Sequence, residues 1–329
     1  PCSPRFAAAG RGQHRDRAGL CRRVAPCPFA TEGQSSPRAR LLCRWTPPSR
    51  LTPLSNWPDV LVPVPPSLAD RLDSFDPANV VPSKDAATIA VVRDGPHGLE
   101  AFLMRRNSKM AFAPGMYVFP GGGVQADDGS EIPWVGPTPA DWAERFGCSP
   151  EVAKRLVVAA IRETFEETGV LLAGPDEHTV IADTTALAAD REALEAKEYS
   201  FADFLKREHL VLRADLLSAW AHWITPAFEP RRYDTRFFVA AIPAGQKVDS
   251  VSTEADQSMW SPLSQALIEV AAGRAAMLPP TSITCRELAE LTTGQIAEAA
   301  TARRIYPIEP KLVRHNDEWW LDVNREEDL

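Results

Sequence analysis

At 329 residues, with 44% hydrophobic and 24% charged content, the chain can bury one large or two small cores, and it holds no run of about twenty apolar residues that could span a bilayer. Its formal net charge of −8 hides an asymmetry: the first fifty residues carry ten arginines against only Asp16 and Glu32, a head of +8, which leaves −16 on the rest. So acidic a body argues against a broad nucleic-acid surface, and phosphate recognition must come from a few placed arginines or from bound metal.

Residues 1–50 are rich in Arg, Ala, Pro and Gly, lack apolar periodicity, and read as disordered. An arginine-rich, acid-poor head can be an organelle transit segment, but its prolines interrupt any amphipathic helix. An overextended translation start reads the same way, and that second reading is taken. Cys2, Cys21, Cys27 and Cys43 lie in this head, while Cys148 and Cys285 stand alone in the body. With no CxxC pair, they are expected to be reduced, incidental thiols of a cytoplasmic protein. Residues 51–82, with Pro53, Pro58, Pro63, Pro65, Pro66 and Pro77, are expected to form a proline-rich extended linker. The folded domain is expected over 83–310, with a C-terminal hairpin and tail at 311–329.

Within the domain, 86–92 and 100–105 have strand composition, and the RDGPHG between them predicts a hairpin. A third strand, MYVFP, begins at Met116. The best-defined helix is SPEVAKRLVVAAIRETFEETG, with Ser149 as N-cap, Pro150 in the first helical position and Gly169 where a left-handed residue closes it. Further helices are predicted at 185–197, 201–208, 262–272 and 285–291, and strands at 220–224 and 236–242. Strands mixed with helices imply an α/β or α+β domain.

In that main helix Glu163, Glu166 and Glu167 stand at i, i+3 and i+4 and so share one face, opposite an apolar stripe of Val157, Val158, Ile161 and Phe165. Like charges at this spacing repel, and a divalent cation reverses the cost. Magnesium, with its hard oxygen ligands and retained waters, suits few carboxylates plus substrate phosphates. A bare ExxEE on its own reads by default as a solvated acidic face, and the flanking residues change that. Upstream, FPGGG at 119–123 offers glycines that allow close backbone approach and a carbonyl for a metal, or form an ordinary tight turn.

PGG ahead of a helix carrying RETFEETGV resembles the signature of the Nudix hydrolases, GX5EX7REUXEEXGU with U aliphatic. Arg162, Glu163, Glu166, Glu167, Gly169 and Val170 match it, with Thr164 at a U position. The first half departs: Gly122 lies forty residues before Arg162 where the pattern allows fourteen, and counting back from Arg162 puts Lys154 at the leading glutamate. An insertion accounts for the spacing, and it contains TPADWAERFG, a short helix capped by Thr138 and closed by Gly147. A long insertion in the box is similar to the subgroup that includes the peroxisomal and mitochondrial coenzyme A diphosphatases of animals. AFLMRRNSKMAFAPGMYVFPGG, WITPAFEPRRYDTRFFVA, EADQSMWSPLSQAL and LPPTS extend the resemblance over about residues 85–310.

The resemblance implies a Nudix-type α-β-α sandwich with a mixed sheet and added helices. It implies hydrolysis of a nucleoside diphosphate derivative with Mg2+ or Mn2+, the metal ligands being Glu163, Glu166, Glu167 and the Gly122 carbonyl. Arg162 then anchors the glutamate beside it, and the general base is Glu163 or, on a later loop, Glu254. Arg105, Arg231, Arg232 and Arg236 are candidates for substrate phosphates, as is Arg106, each equally readable as surface charge. Tyr117, Phe119 and Trp223 are candidates to stack a base or to lie in the core. Coenzyme A or an acyl-coenzyme A leads the substrates, with NADH, ADP-ribose and dinucleoside polyphosphates as alternatives. No nucleic acid or membrane partner is expected, and homodimers are common in the family. A non-catalytic nucleotide-sensing module is the rival reading, motivated by Lys154 at the leading acidic position.

Overall fold

In the computed structural model, residues 61–63, 72, 75–107, 113–249, 255–315 and 318–323 are described. In chain order the elements are β1 (Leu61–Pro63), β2 (Lys84–Gly95), β3 (Gly98–Arg106), β4 (Tyr117–Val118), β5 (Gly121–Gly123), a 3-10 turn (Ala126–Gly129), β6 (Trp134–Val135), α1 (Pro139–Phe146) and α2 (Pro150–Thr168). After these come β7 (Ala173–Gly174), α3 (Ala188–Glu195), α4 (Phe201–Arg207), β8 (Val211–Arg213), β9 (Ser218–Ile224), β10 (Tyr233–Ala241), β11 (Ala255–Pro262) and α5 (Leu263–Ala271). The chain continues through α6 (Pro279–Leu288), α7 (Ile296–Ala302), β12 (Pro307–Ile308), β13 (Lys311–His315) and β14 (Glu318–Asp322).

The main sheet runs β11-β3-β2-β10-β9-β12, with β4 added to β3 and β5 to β2. It is mixed, because β10 runs parallel to β2 and β12 parallel to β9 while the other pairs are antiparallel. Strand β2 is buried on both faces, which is why AATIAVV reads as a continuous apolar run with no polar alternation. Its Ala87, Ile89 and Val91 join Leu156, Val157, Ile161 and Phe165 of α2 in one core. On the other face, Ala90 and Val92 join Trp220 and Trp223 with Leu263, Leu267, Ile283 and Leu288 of α5 and α6 in a second. Helices therefore cover both faces, and the architecture is an α-β-α sandwich.

Helix α2 begins and ends where its caps require. The Ser149 side chain accepts from the Val152 N–H, Pro150 opens the helix, and Gly169 closes it at φ 72° with its N–H donating to Phe165 O. The inserted helix α1 has Thr138 and Asp141 as a reciprocal capping box and Gly147 at φ 63°. Trp142 and Phe146 of α1 meet Phe238 of β10 edge-on, with ring centroids 5.5 and 5.2 Å apart, so the insertion is fastened to the sheet by aromatic packing.

Some boundaries differ from those predicted. The helix expected at 285–291 begins six residues earlier, at Pro279, because consecutive prolines fit a first turn whose N–H groups have no intrahelical partner. The helix expected at 185–197 is a 3-10 turn followed by the eight residues of α3, ended by a left-handed Lys197. Strand β11, helix α7 and the small β6-β8-β7 sheet are additional to the predicted elements, and the two- and three-residue strands of that sheet carry too little periodicity to read. Within the proline-rich stretch, β1 pairs with β14, which also forms a hairpin with β13. Among the described residues no helix is long and apolar enough to cross a membrane.

Cys285 is fully buried on α6, and burial pushes its thiol up to about 12. It should therefore resist iodoacetamide in the folded protein and label fully in denaturant, read by peptide mass spectrometry. Native-state labelling at the rate of half-buried Cys148 would contradict this packing.

Candidate active site

The glycine turn and the acidic face of α2 meet where β5 pairs with β2, Gly122 lying opposite Ala87. A β-carbon on Gly121 would fall 2.4 Å from Ala87 O, which excludes a side chain there, and one on Gly122 would fall 2.5 Å from the Glu163 carboxyl carbon, so a side chain at 122 would displace that carboxylate. The Gly121 N–H donates to Glu167 Oε2 at 2.7 Å. Two of the three glutamates are thus seated directly against the turn.

Arg162 organises the rest. Its guanidinium grips Asp128 with two bonds, Nε to Oδ1 at 2.8 Å and Nη2 to Oδ2 at 3.1 Å, and Nη2 also donates to Gly123 O at 3.0 Å. From the other side Nη1 reaches Glu163 Oε1 at 2.8 Å and Glu166 Oε2 at 3.2 Å. Arg162 and Asp128 are 3% and 2% exposed, which makes this a buried, two-pronged ion pair. Burial alone would lower the Arg162 pKa, but the Asp128 bonds and the charges of Glu163 and Glu166 carry it well above its ordinary value, so the guanidinium is permanently charged.

Asp128 corrects the expectation for Lys154. Counted forward from Gly122 with the five intervening residues of the signature, the leading acid is Asp128, and the insertion lies after it. Lys154 instead points outward to Glu131 at 2.7 Å, a partner whose side chain is 96% exposed. Counting back from Arg162 failed because it ran through the insertion. The spacing from Gly122 was the signal available.

Electrostatically the site has an excess of negative charge. Asp128, Glu163 and Glu166 gather on the Arg162 guanidinium with Glu167 beside them on the Gly121 N–H, and burial pushes the Glu166 carboxyl up to about 7, Arg162 opposing and Glu163 and Asp128 adding to the rise. Among the described residues no three acidic, His or Cys side chains converge on one point suited to a metal ion. Like charges have separated onto the nearest donors, Glu163 and Glu166 onto Arg162 and Glu167 onto the Gly121 N–H. Even so, an all-oxygen donor set with surplus negative charge at a side-chain-free turn has the chemistry a hard divalent cation requires.

The remaining candidates lie elsewhere. Glu254 is outside the described residues. Arg105 is exposed on β3 with Nε donating to Gly115 O at 3.3 Å, and Arg231 is exposed on the loop before β10. Arg232 is buried and spends its donors on Thr225 O, Val81 O and Glu309, tying the chain ahead of β2 to that following β12. Arg236 is buried on β10 with Nη1 on Asp234 at 2.5 Å, and Asp234 also bonds His222 Nε2 at 2.5 Å. Burial would raise the Asp234 carboxyl, but His222 and Arg236 hold it below its ordinary range. Alternation along β10, an interior strand, puts this arginine on the same face as Asp234, with Asp85 of β2 beside it. Phe119 and Trp223 are core residues, and the Tyr117 hydroxyl lies 3.5 Å from Gln257.

Beside the carboxylates opens a cavity of about 510 Å3. One wall is Gln125, Asp128, Ser130, Arg162 and Glu166; the other is the α3–α4 segment, with Lys197, Tyr199 and Lys206.

Comparison with known proteins agrees with this geometry. The family model described as the NUDT19 Nudix domain matches residues 147–288, which include all of α2. A crystal structure of a Nudix hydrolase from Alicyclobacillus acidocaldarius superposes with a TM-score of 0.56 at 27% identity, over 68% of this chain and 98% of that one. Residues 147–288 match a Nudix domain, and the fold is that of a Nudix hydrolase. Relatives of this Nudix domain include acyl-coenzyme A diphosphatase NUDT19 of Xenopus laevis, 27% identical over 220 residues that cover 55% of this chain and 57% of the relative. The human protein of the same name is 26% identical over 235 residues, 60% of this chain and 62% of the relative. Putative nudix hydrolase 7 of Caenorhabditis elegans is 27% identical over 200 residues, 60% of this chain and 58% of the relative. The matched region thus spans little more than half the length of these relatives. In this Nudix domain Gly122 and Asp128 precede the segment matched by the family model, and tertiary contacts join them to it.

Proposed function

We propose that this Nudix domain is a magnesium-dependent hydrolase of the diphosphate linkage in nucleoside diphosphate derivatives, with coenzyme A or an acyl-coenzyme A as its substrate class. The observation that carries the reading is the seating of Glu163, Glu166 and Glu167 beside a glycine turn and around a buried Arg162–Asp128 pair. The substrate class is supported by the printed names of the relatives in Xenopus laevis and humans.

The three glutamates and the Gly122 carbonyl would hold the cation, Mn2+ being accepted by the same oxygen donors. Bound there, it supplies neutralisation of diphosphate charge and lowers the pKa of a water. Glu163, backed onto Gly122, accepts the proton as the water oxygen bonds to phosphorus. The bridging P–O bond breaks, and two phosphate-bearing products leave. Arg162 does not meet substrate in this reading; it fixes Glu163 and Glu166 from behind. The bonds from Arg162 to Asp128, which holds the leading acidic spacing from Gly122, favour the hydrolase over a non-catalytic module.

The test is a panel of coenzyme A, an acyl-coenzyme A, NADH, ADP-ribose and a dinucleoside polyphosphate, incubated with Mg2+ and read by mass spectrometry of both products. Coenzyme A is expected to give adenosine 3′,5′-bisphosphate and phosphopantetheine. No turnover of any substrate would overturn the proposal.

A paired substitution probes the turn. Gly122→Ala drives a methyl group into the Glu163 carboxylate and is expected to lower kcat/KM by roughly 10–100-fold, the range for displacing a ligand's support. Gly123→Ala meets nothing within 4 Å and should remain within about twofold. Equal loss in both would show that the turn acts only through backbone flexibility.

A further inference from the structure

The wall facing the carboxylates across the cavity carries two cations that the hydrolytic reading does not use. Lys197 and Lys206 border the space on that side, both are exposed, and neither forms an ion pair among the described residues. Segment α4 packs against the 3-10 turn that holds Asp128, so this wall is attached to the site.

Lys197 occupies a conformation that favours glycine. Its φ is 58°, and it closes α3 in the left-handed region, its N–H donating to Leu194 O and that of Glu198 to Ala193 O, both at 2.9 Å. A glycine would make the same turn with no steric cost from a β-carbon. His209 shares the conformation but does not border the cavity. Acids border it too, namely Asp127, Glu198 and Asp203, the last bonded by Ser200 Oγ at 2.7 Å. Arg162 on the opposite wall is already paired with Asp128, Glu163 and Glu166, so an anionic group entering here meets cations without a carboxylate partner, among the described residues, at the two lysines.

We propose that Lys197 and Lys206 form a clamp for a phosphate of the substrate that lies beyond the linkage being cleaved, so that substrates with an additional phosphomonoester are preferred. The proposal rests on the hydrolase reading for where the diphosphate sits, while the clamp itself can be tested without turnover.

Calorimetric titration of the full chain with adenosine 3′,5′-bisphosphate and with AMP, both with Mg2+, reads the clamp directly. The bisphosphate is expected to bind about tenfold more tightly than AMP, the effect of one or two charge-assisted hydrogen bonds. Lys206→Gln and Lys197→Gly should each remove most of that preference. Lys197→Gly should also raise Tm by about 2 °C as the left-handed strain is relieved. A merely structural Lys197 would give the Tm rise with the preference intact, and that result, or a wild-type chain without preference, overturns the clamp. Turnover of coenzyme A and 3′-dephospho-coenzyme A separates the two ideas. Lysine-dependent preference for the bisphosphate without turnover sinks the hydrolase reading and keeps the clamp, whereas equal kcat/KM for both substrates in wild type and variants does the reverse.

Discussion

Asp128→Ala is expected to destabilise the domain by about 3–5 kcal/mol, because it strands the Arg162 guanidinium as a buried charge without its two-bond partner. Both members of the pair are almost fully buried, so water cannot replace the lost carboxylate, and the Gln125 N–H that donates to Asp128 at 2.7 Å loses its acceptor too. Against a typical domain stability of about 5–15 kcal/mol the variant should still fold at low temperature, with a clearly lowered denaturant midpoint. Lys154→Ala is the control, since among the described residues Lys154 pairs with the exposed Glu131, and it should leave the denaturant midpoint nearly unchanged. Equal midpoints for the two variants would refute the assignment of Asp128 to the leading acidic position of the box.

Glu166→Gln and Glu167→Gln are expected to reduce turnover by more than about 100-fold, the upper range for loss of a group that only supports a metal ligand. Neither variant should lose stability. The folded pKa of Glu166, raised by burial to about 7, lies above the unfolded value of 4.5, so the native state holds the proton more tightly and stability falls as pH rises from about 4.5 to 7. A neutral amide in place of this carboxyl is spared that loss. Above pH 7, therefore, Glu166→Gln should melt at or above the wild-type temperature in metal-free buffer, and at pH 5 the difference should vanish. Unfolded variants, or near-normal turnover in both, would remove the metal assignment altogether.

The main helix was legible down to its end residues. Ser149, Pro150 and Gly169 are local signals, and each acts within one turn of the residue that carries it, so no tertiary information is needed to place them. The 86–92 and 100–105 strands and the capped insertion helix were readable for the same reason. Elements held by partners distant in sequence were not. Strand β11 is held by its ladder to β3, and the two-residue strands of the small sheet exist only because β8 lies between them. The helix predicted at 285–291 lies instead at Pro279–Leu288, where Ile283, Cys285 and Leu288 pack with Trp220 and Trp223 of β9, a contact between segments distant in sequence.

The site divides along the same line. Glu163, Glu166 and Glu167 share a face by helical geometry alone, and the need for glycine at position 122 follows once that face is placed over the turn. Arg232 and Arg236 could not be assigned from sequence, because alternation along a strand says which residues share a face but not which charges wait on it; here Glu309, Asp85 and Asp234 do. What the sequence determined by itself was the acidic helical face, its caps and its glycine turn, all products of short-range geometry. The spacing from Gly122 marks Asp128 as the leading acid, but only the tertiary structure decided that it is buried against Arg162, thirty-four residues on, and that Lys197 and Lys206 border the same cavity. Contacts across an insertion depend on how the intervening chain packs, and no local periodicity records that.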